Sequence, residues 1–396
     1  MNRYLTYSIE HIFKSKKFYA GLLMFLFIHS IFRSLTNKFF GHGFGDEIAW
    51  SKAVTSIVYG ISYVICLISL ISLKFKVSKL FLNTWIIISS IAILNELIYY
   101  LRSPNYSLIE SINSGQIYIS IKITLSILFC GIWQTLNSSS KLLKNILIFI
   151  LYVTIINSIC IWFGAIFELK IFQSYPGSSR WGYSGFLSRG YASFFAYLSL
   201  ANLFFNEKRN YYTTPLLFSS LLLIGTKVGI LYFGLIFFFF KLKSKRTRAM
   251  LIALGALLSI SINYWIEYVL NYSAFWKNVY NENGVYGVLF SLRNQDFIRV
   301  VQQINESYSV KDFLIGGKFR YEFLWVEMIA LDYFVFYGFI GLVVFIYYYK
   351  SLIPSWKYSV PLLIALFSGT LISPLMCIIW ICWCLQEVNK NLLRRG

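Results

Sequence analysis

The chain has 396 residues, of which 58% are hydrophobic and 13% charged, against about 45–50% and about 25% in a soluble domain. So much apolar surface excludes a water-soluble globular fold, and at about 20 apolar residues per spanning helix the length holds about ten to fourteen crossings plus one modest polar segment. The formal charge of +20 does not read as nucleic-acid binding, because the basic residues stand in short clusters between apolar runs, where they orient membrane helices.

The opening segment MNRYLTYSIEHIFKSKK is basic and leads into FYAGLLMFLFIHSIF, which lacks a small-x-small cleavage site and reads as an uncleaved first span. Twelve spans are expected, near 18–36, 48–73, 80–101, 117–136, 145–168, 186–205, 213–225, 228–240, 249–270, 326–348, 358–371 and 374–386. With the N-terminus inside, the inner loops collect Lys74, Lys76 and Lys79; Lys141 and Lys144; Lys208 and Arg209; the cluster from Lys241 to Arg248; Lys350 and Lys357; and Lys390, Arg394 and Arg395. The short outer loops hold little beyond Lys38, Arg102, Lys170 and Arg180. The positive-inside rule is therefore obeyed, with both termini expected on the cytoplasmic side. Cys66, Cys130, Cys160, Cys377, Cys382 and Cys384 all fall in apolar stretches and read as small buried hydrophobes, with neither a disulfide framework nor a metal set.

The same rule divides residues 212–240. A single helix would put the Lys208–Arg209 and Lys241–Arg248 clusters on opposite sides, whereas two short helices around Gly225-Thr226-Lys227 keep both inside. Each would be roughly 20 Å long, short of a core of about 30 Å. Lys227 then sits at a turn within the membrane, where non-helical backbone is tolerated only against protein or a wet cavity. Equivalent logic splits 358–386 between Gly369 and Pro374.

The chain thus divides into residues 1–270 with spans one to nine, a large outer loop at 271–324, and residues 325–396 with the last three spans and a cytoplasmic tail. In the loop, SLRNQDFIRVVQQINES sets Phe297, Val300, Val301 and Ile304 at helical spacing, which predicts an amphipathic helix with Ser291 near its N-cap.

Charge inside a span marks function by default. Lys52, Glu96, Lys122, Arg189, Lys227, Glu267, Glu327 and Asp332 qualify. Lys52, Glu96, Glu267 and Arg189 lie near span ends and can snorkel, while Lys122 and Lys227 lie deeper. Acids gather on the outer side, among them Asp46, Glu47, Glu110, Glu168, Glu282, Asp296 and Asp312. Four cations have no clear acidic neighbour in sequence: Arg180, Arg189, Lys227 and Arg293. Together they can converge on one anionic group, and Arg forks match pyrophosphate oxygens well. Two plainer pairings stand beside that reading, Arg320 with Glu327 and Arg293 with Asp296.

RWGYSGFLSRGYASFFAYLSL, LLLIGTKVGILYF, and the large loop with Arg293 followed by VEMIALDYFVFYGFIGLV resemble three features of the O-antigen polymerase and O-antigen ligase superfamily. These are an Arg/Gly-rich outer loop, a Gly-Thr/Ser-Lys/Arg break between short helices, and an acid-bearing start to the span after the loop. The Asn common in the first motif is replaced around Arg189-Gly190. The family's ligases carry a catalytic His near the end of the large loop; here the histidines are His11, His29 and His42, which favours polymerase.

The resemblance implies an all-α polytopic, GT-C-like glycosyltransferase of the bacterial inner membrane, acting without metal or cofactor. Its substrates would be undecaprenyl-diphosphate-linked oligosaccharide repeat units met among membrane lipids, and its partners a chain-length regulator and a flippase. The implied site has Glu327 or Asp332 as base, with Asp296 third, and Arg180, Arg189, Lys227, Arg293, Arg299 and Arg320 around the diphosphate. Glu327 and Asp332, five apart, point about 140° from each other on a continuous helix, so both serve one point only where the helix begins between them. The alternatives are a lipid-linked-oligosaccharide flippase or transporter, disfavoured by the lack of an internal repeat, and a ligase of the same superfamily.

Overall fold

A computed structural model describes residues 12–40, 49–102, 116–136, 140–176, 181–205, 212–236, 238, 274–290, 293–317, 327–366, 368 and 373–393. The expected ninth span at 249–270, with Glu267, and Arg180, Ser291 and Arg320 lie outside these residues.

Among the described residues the regular elements are helical, joined by one isolated antiparallel bridge between Gln173 and Tyr183. They run α1 (Lys16–Phe40), α2 (Ala49–Ser72), α3 (Lys79–Arg102), α4 (Gln116–Thr135), α5 (Ser140–Phe167), α6 (Arg189–Phe205), α7 (Thr213–Leu223), α8 (Lys227–Ile236), α9 (Ala274–Phe290), α10 (Arg293–Ser307), α11 (Val310–Ile315), α12 (Ile329–Leu352), α13 (Val360–Ala365) and α14 (Pro374–Leu393). By length and composition alone, six helices among the described residues qualify as membrane spans, namely α1 to α5 and α12, with shorter apolar helices at α7, α8 and α14. On α2, Ile57, Ile61, Val64, Ile68 and Ile71 form an exposed stripe at alternating four- and three-residue spacing, and Tyr152, Ile156, Ile159, Phe163 and Ile166 do the same on α5. In water such stripes would be unshielded apolar patches; against lipid they are the expected outer face.

The helices gather into two compact units, one of Met1–Ser30, Ala49–Ile146 and Val300–Gly396, the other of Ile31–Ile48 and Leu147–Arg299. In the first, α4 is the centre, touched by α2, α3 and α14. Phe129 stacks on Trp133 and meets Tyr19 edge-on. Five of the cysteines are buried, as expected of small hydrophobes, and all six are free thiols.

The sequence misjudges α12. A helix over 326–348 reads as one crossing, but Gly338 holds φ 64° and ψ −165° inside it. The Tyr333 and Tyr349 hydroxyls bond at 2.9 Å, and the Tyr333 and Phe345 rings stack 3.7 Å apart. Residues sixteen apart on a straight helix would stand about 24 Å apart, so the element is two arms folded toward one another at Gly338. The arms are about 14 and 21 Å long, each short of a bilayer core of about 30 Å. The backbone at Gly338 is stacked on that of α11. A Cβ at Gly338 would overlap the Leu314 carbonyl, and one at Gly316 would meet the Tyr337 nitrogen at 2.6 Å. The bend is locked because the freed Val335 carbonyl accepts from the Gly317 amide at 3.1 Å and Asn95 of α3 donates to Ile315 O at 2.7 Å.

Two further expectations are corrected. The eleventh span at 358–371 is, in its described part, a 3-10 turn at Trp356–Ser359 followed by the six-residue α13, too short to cross. The 271–324 loop carries α9 and α11 as well as the expected α10. Within α10, Val300 and Ile304 pack against Val335 and Leu331 as the amphipathic pattern requires, but Phe297 is exposed. In the second unit α9 is itself folded at Gly284 (φ 64°), which brings Val279 onto Val288.

Candidate functional site

In the second unit the expected break at 225–227 is present. α7 ends at Leu223, Gly225 takes φ 68°, and α8 opens on Lys227. The turn is pressed against the segment before α6. A Cβ on Gly225 would overlap the Trp181 carbonyl oxygen and lie 2.7 Å from Gly182 Cα, so two backbones touch where only glycine fits both the torsion and the space. Tyr183 N–H donates to Leu223 O at 2.8 Å, and the Ser174 hydroxyl donates to Ile224 O at 2.7 Å. Buried Asn157 of α5 donates to Ser184 O and accepts from the Leu187 amide, both at 3.0 Å.

Arg189 and Lys227 are the first residues of α6 and α8, and one hydrogen-bond chain ties the two helix starts together. Ser193 donates to Arg189 O at 2.9 Å. Having only one proton, it accepts at its 3.1 Å contact with Thr226. Thr226 in turn accepts the Gly229 amide at 3.0 Å as the N-cap of α8. Two helix N-termini, each carrying the positive end of its dipole and each led by a cation, are thereby fixed side by side, an arrangement suited to an anion. The ammonium of Lys227 lies 4.2 Å above the Trp276 ring of α9, and the Arg189 guanidinium 4.9 Å above the buried Tyr175 ring. Cation–π contacts of about 0.5–2 kcal/mol hold both heads in place.

Lys38, read from sequence as an ordinary loop cation, belongs to this group. Its ammonium donates to Ser184 Oγ at 2.8 Å, Gly185 O at 2.5 Å and Gln173 O at 3.3 Å. It thus ties the end of α1 to both sides of the 173–185 loop. Nothing local to FRSLTNKFF signals this, since all three acceptors come from a segment more than a hundred residues away. Arg293 opens α10, and Arg299 pairs with Asp296 at 2.9 Å in an exposed ion pair. The Asp296–Arg299 contact is worth no more than about 0.5 kcal/mol in water.

Glu327 and Asp332 lie in the first unit. α12 begins at Ile329, between Glu327 and Asp332, which is the condition under which both carboxylates escape the 140° separation. Asp332 is fully buried in the first turn of α12. Glu327 is half-buried and holds φ 59°, a left-handed torsion rare outside glycine, asparagine and aspartate and concentrated at functional sites.

Asp312, read only as one of the outer acids, is the third residue of α11 and helps cap it. It accepts from the Ser309 amide at 3.1 Å and hydroxyl at 2.6 Å and pairs with Lys311 at 2.9 Å, completing a capping box. Burial by itself pushes its carboxyl up, but the Ser309 and Lys311 contacts outweigh it and hold the group below its ordinary value. The Ser-x-x-Asp spacing at 309–312 is the signal that could have identified it.

Lys122 lies 3.9 Å over the Tyr118 ring, and His29 bonds Thr55 at 3.3 Å, so both are engaged within the first unit. Among the described residues no three His, Cys, Asp or Glu side chains converge on a metal-sized space. Searches against family models, characterised proteins and solved structures return no match to this chain.

Proposed function

We propose that this chain is an O-antigen-type polysaccharide polymerase of the bacterial inner membrane. It would be polytopic in a GT-C-like arrangement, with cytoplasmic termini and the 271–324 segment on the periplasmic side. The observation that carries the reading is the pair of joined helix N-termini led by Arg189 and Lys227. On this reading the pair forms an anion site in a membrane protein whose motifs resemble that family.

The reaction joins two undecaprenyl-diphosphate-linked glycans. The non-reducing-end hydroxyl oxygen of one repeat unit bonds to the anomeric carbon of the growing chain. The bond from that carbon to the diphosphate oxygen breaks, and undecaprenyl diphosphate leaves with the electron pair. Arg189 and Lys227, with Arg293, stabilise the charge developing on the leaving group; fixed donors of this kind contribute several kcal/mol. The hydroxyl proton goes to a carboxylate. Of the two acids flanking the start of α12, Glu327 is the accessible one and is assigned as base, while the enclosed Asp332 holds the start of the helix. His29, engaged with Thr55, does not match a ligase's catalytic histidine.

The test is purified protein incubated with lipid-linked repeat units, with products resolved by length. A ladder from the wild type that is absent from Glu327→Gln supports the assignment. Transbilayer movement of the lipid without a ladder identifies a flippase instead. A ladder undiminished in Glu327→Gln removes that residue from the base role.

A further inference from the structure

The bend at Gly338 leaves an angle between the arms of α12, and a cavity of about 450 Å³ lies there, bounded on its third side by α13 and the 3-10 turn before it. Tyr333 contributes from the first arm, Leu342 and Ile346 from the second and Leu363 from α13. Lys350 is the one charged residue among those that line it. The hydroxyls of Tyr333 and Tyr349 are engaged with one another, so the interior presents hydrocarbon. Lys350 and Trp356 are both exposed among the lining residues, and the exposed Lys357 follows Trp356 in sequence.

The volume is that of a ligand site, and the chemistry is that of an amphiphile, with apolar walls and a cationic mouth. From Leu342 to Ile353 the wall is about 16 Å long, close to half of a bilayer core of about 30 Å, which is the depth one acyl chain occupies. An indole beside a lysine is also the usual composition at the level of lipid headgroups.

We propose that this cavity holds one acyl chain of an anionic phospholipid from the surrounding bilayer, with its phosphate at Lys350. The proposal rests on the chain being embedded in a membrane and not on the polymerase assignment, so either can fail alone.

The experiment uses the full chain, purified in detergent and stripped of lipid. Phosphatidylglycerol, phosphatidylcholine and undecaprenyl phosphate are titrated separately, and binding is read by native mass spectrometry and thermal shift. Phosphatidylglycerol is expected to bind and raise the melting temperature. Lys350→Gln should weaken it about fivefold, the contribution of one lysine near an anionic lipid, and leave phosphatidylcholine unchanged. Ile346→Trp, which fills the cavity, should abolish phosphatidylglycerol binding, and Leu363→Phe fills it from α13 if the first variant does not fold. Equal binding of the two phospholipids by the wild type overturns the proposal, as does undiminished phosphatidylglycerol binding by a folded cavity-filled variant. Binding of undecaprenyl phosphate with none of phosphatidylglycerol also overturns it and assigns the cavity to the polyprenyl substrate.

Discussion

The bond between Ser193 and Thr226 is the joint on which the proposed anion site depends, and a double-mutant cycle isolates it. Thr226→Val keeps the side-chain shape but removes the cap of α8 and the donor to Ser193. The cap is worth about 1 kcal/mol and the bond to Ser193 about another 1 kcal/mol, so thermal unfolding in detergent should show a loss of about 2 kcal/mol. Ser193→Ala removes the same shared bond and the proton donated to Arg189 O, an expected loss of about 1–2 kcal/mol. Because both single variants lose the shared bond, the double variant should be less destabilised than their sum by about 1 kcal/mol, within the range found for contacting residues. Both hydroxyls are buried, so solvent does not replace the missing partner. Additivity to within about 0.3 kcal/mol would mean that the two helix starts are held by packing alone, and the account of a rigid paired anion site would be refuted.

Lys227→Ala and Arg293→Ala should each leave membrane insertion intact while glycan chains stop at one repeat, read by product length on gels; normal long chains from both would remove the diphosphate role. Glu327→Gly should relieve a left-handed torsion that costs about 1 kcal/mol or more in a non-glycine residue, so its melting temperature should hold or rise while chain elongation is lost; a fall in melting temperature would show that the Glu327 side chain is needed for the fold. Gly338→Ala places a Cβ on the Leu314 carbonyl at φ 64°; backbone cannot yield as a flexible side chain does, and the loss should exceed about 2 kcal/mol, whereas an unchanged melting temperature would contradict the locked bend.

Asp312 predicts a pH dependence. Its folded carboxyl is held below the ordinary value near 3.9, so its contribution is present above that pH and is lost as pH falls through the lower folded value. Asp312→Asn should therefore flatten the stability profile below about pH 4, and parallel acid unfolding of the two proteins would show that the capping box contributes nothing.

Much of this architecture is local and therefore legible in the chain. Apolar runs long enough to span fix α1 to α5, because a helix satisfies its own backbone wherever lipid surrounds it. The placement of basic clusters predicts the break at Gly225–Lys227, which the φ of 68° bears out. Hydropathy, by contrast, makes IALDYFVFYGFIGLVVFIYYYKSL one uninterrupted span. The bend in it comes from Gly338 meeting Gly316 and from Asn95 receiving α11, contacts separated by tens to hundreds of residues.

The same division runs through the site. The order of residues identified Arg189 and Lys227 as cations without a clear acidic neighbour in sequence, and Glu327 and Asp332 as acids at the mouth of a span. That Arg189 and Lys227 lead helices tied by one hydroxyl pair, and that Lys38 fastens the loop before them, depends on acceptors brought together in space. The sequence by itself determined the long apolar helices, which residues are too polar for lipid, and that the chain should break near Gly225–Lys227 and before Pro374. Only the tertiary structure decided which of those breaks are locked and which charges stand together, because long-range backbone contacts and hydrogen-bond partners leave no periodic trace in the order of residues.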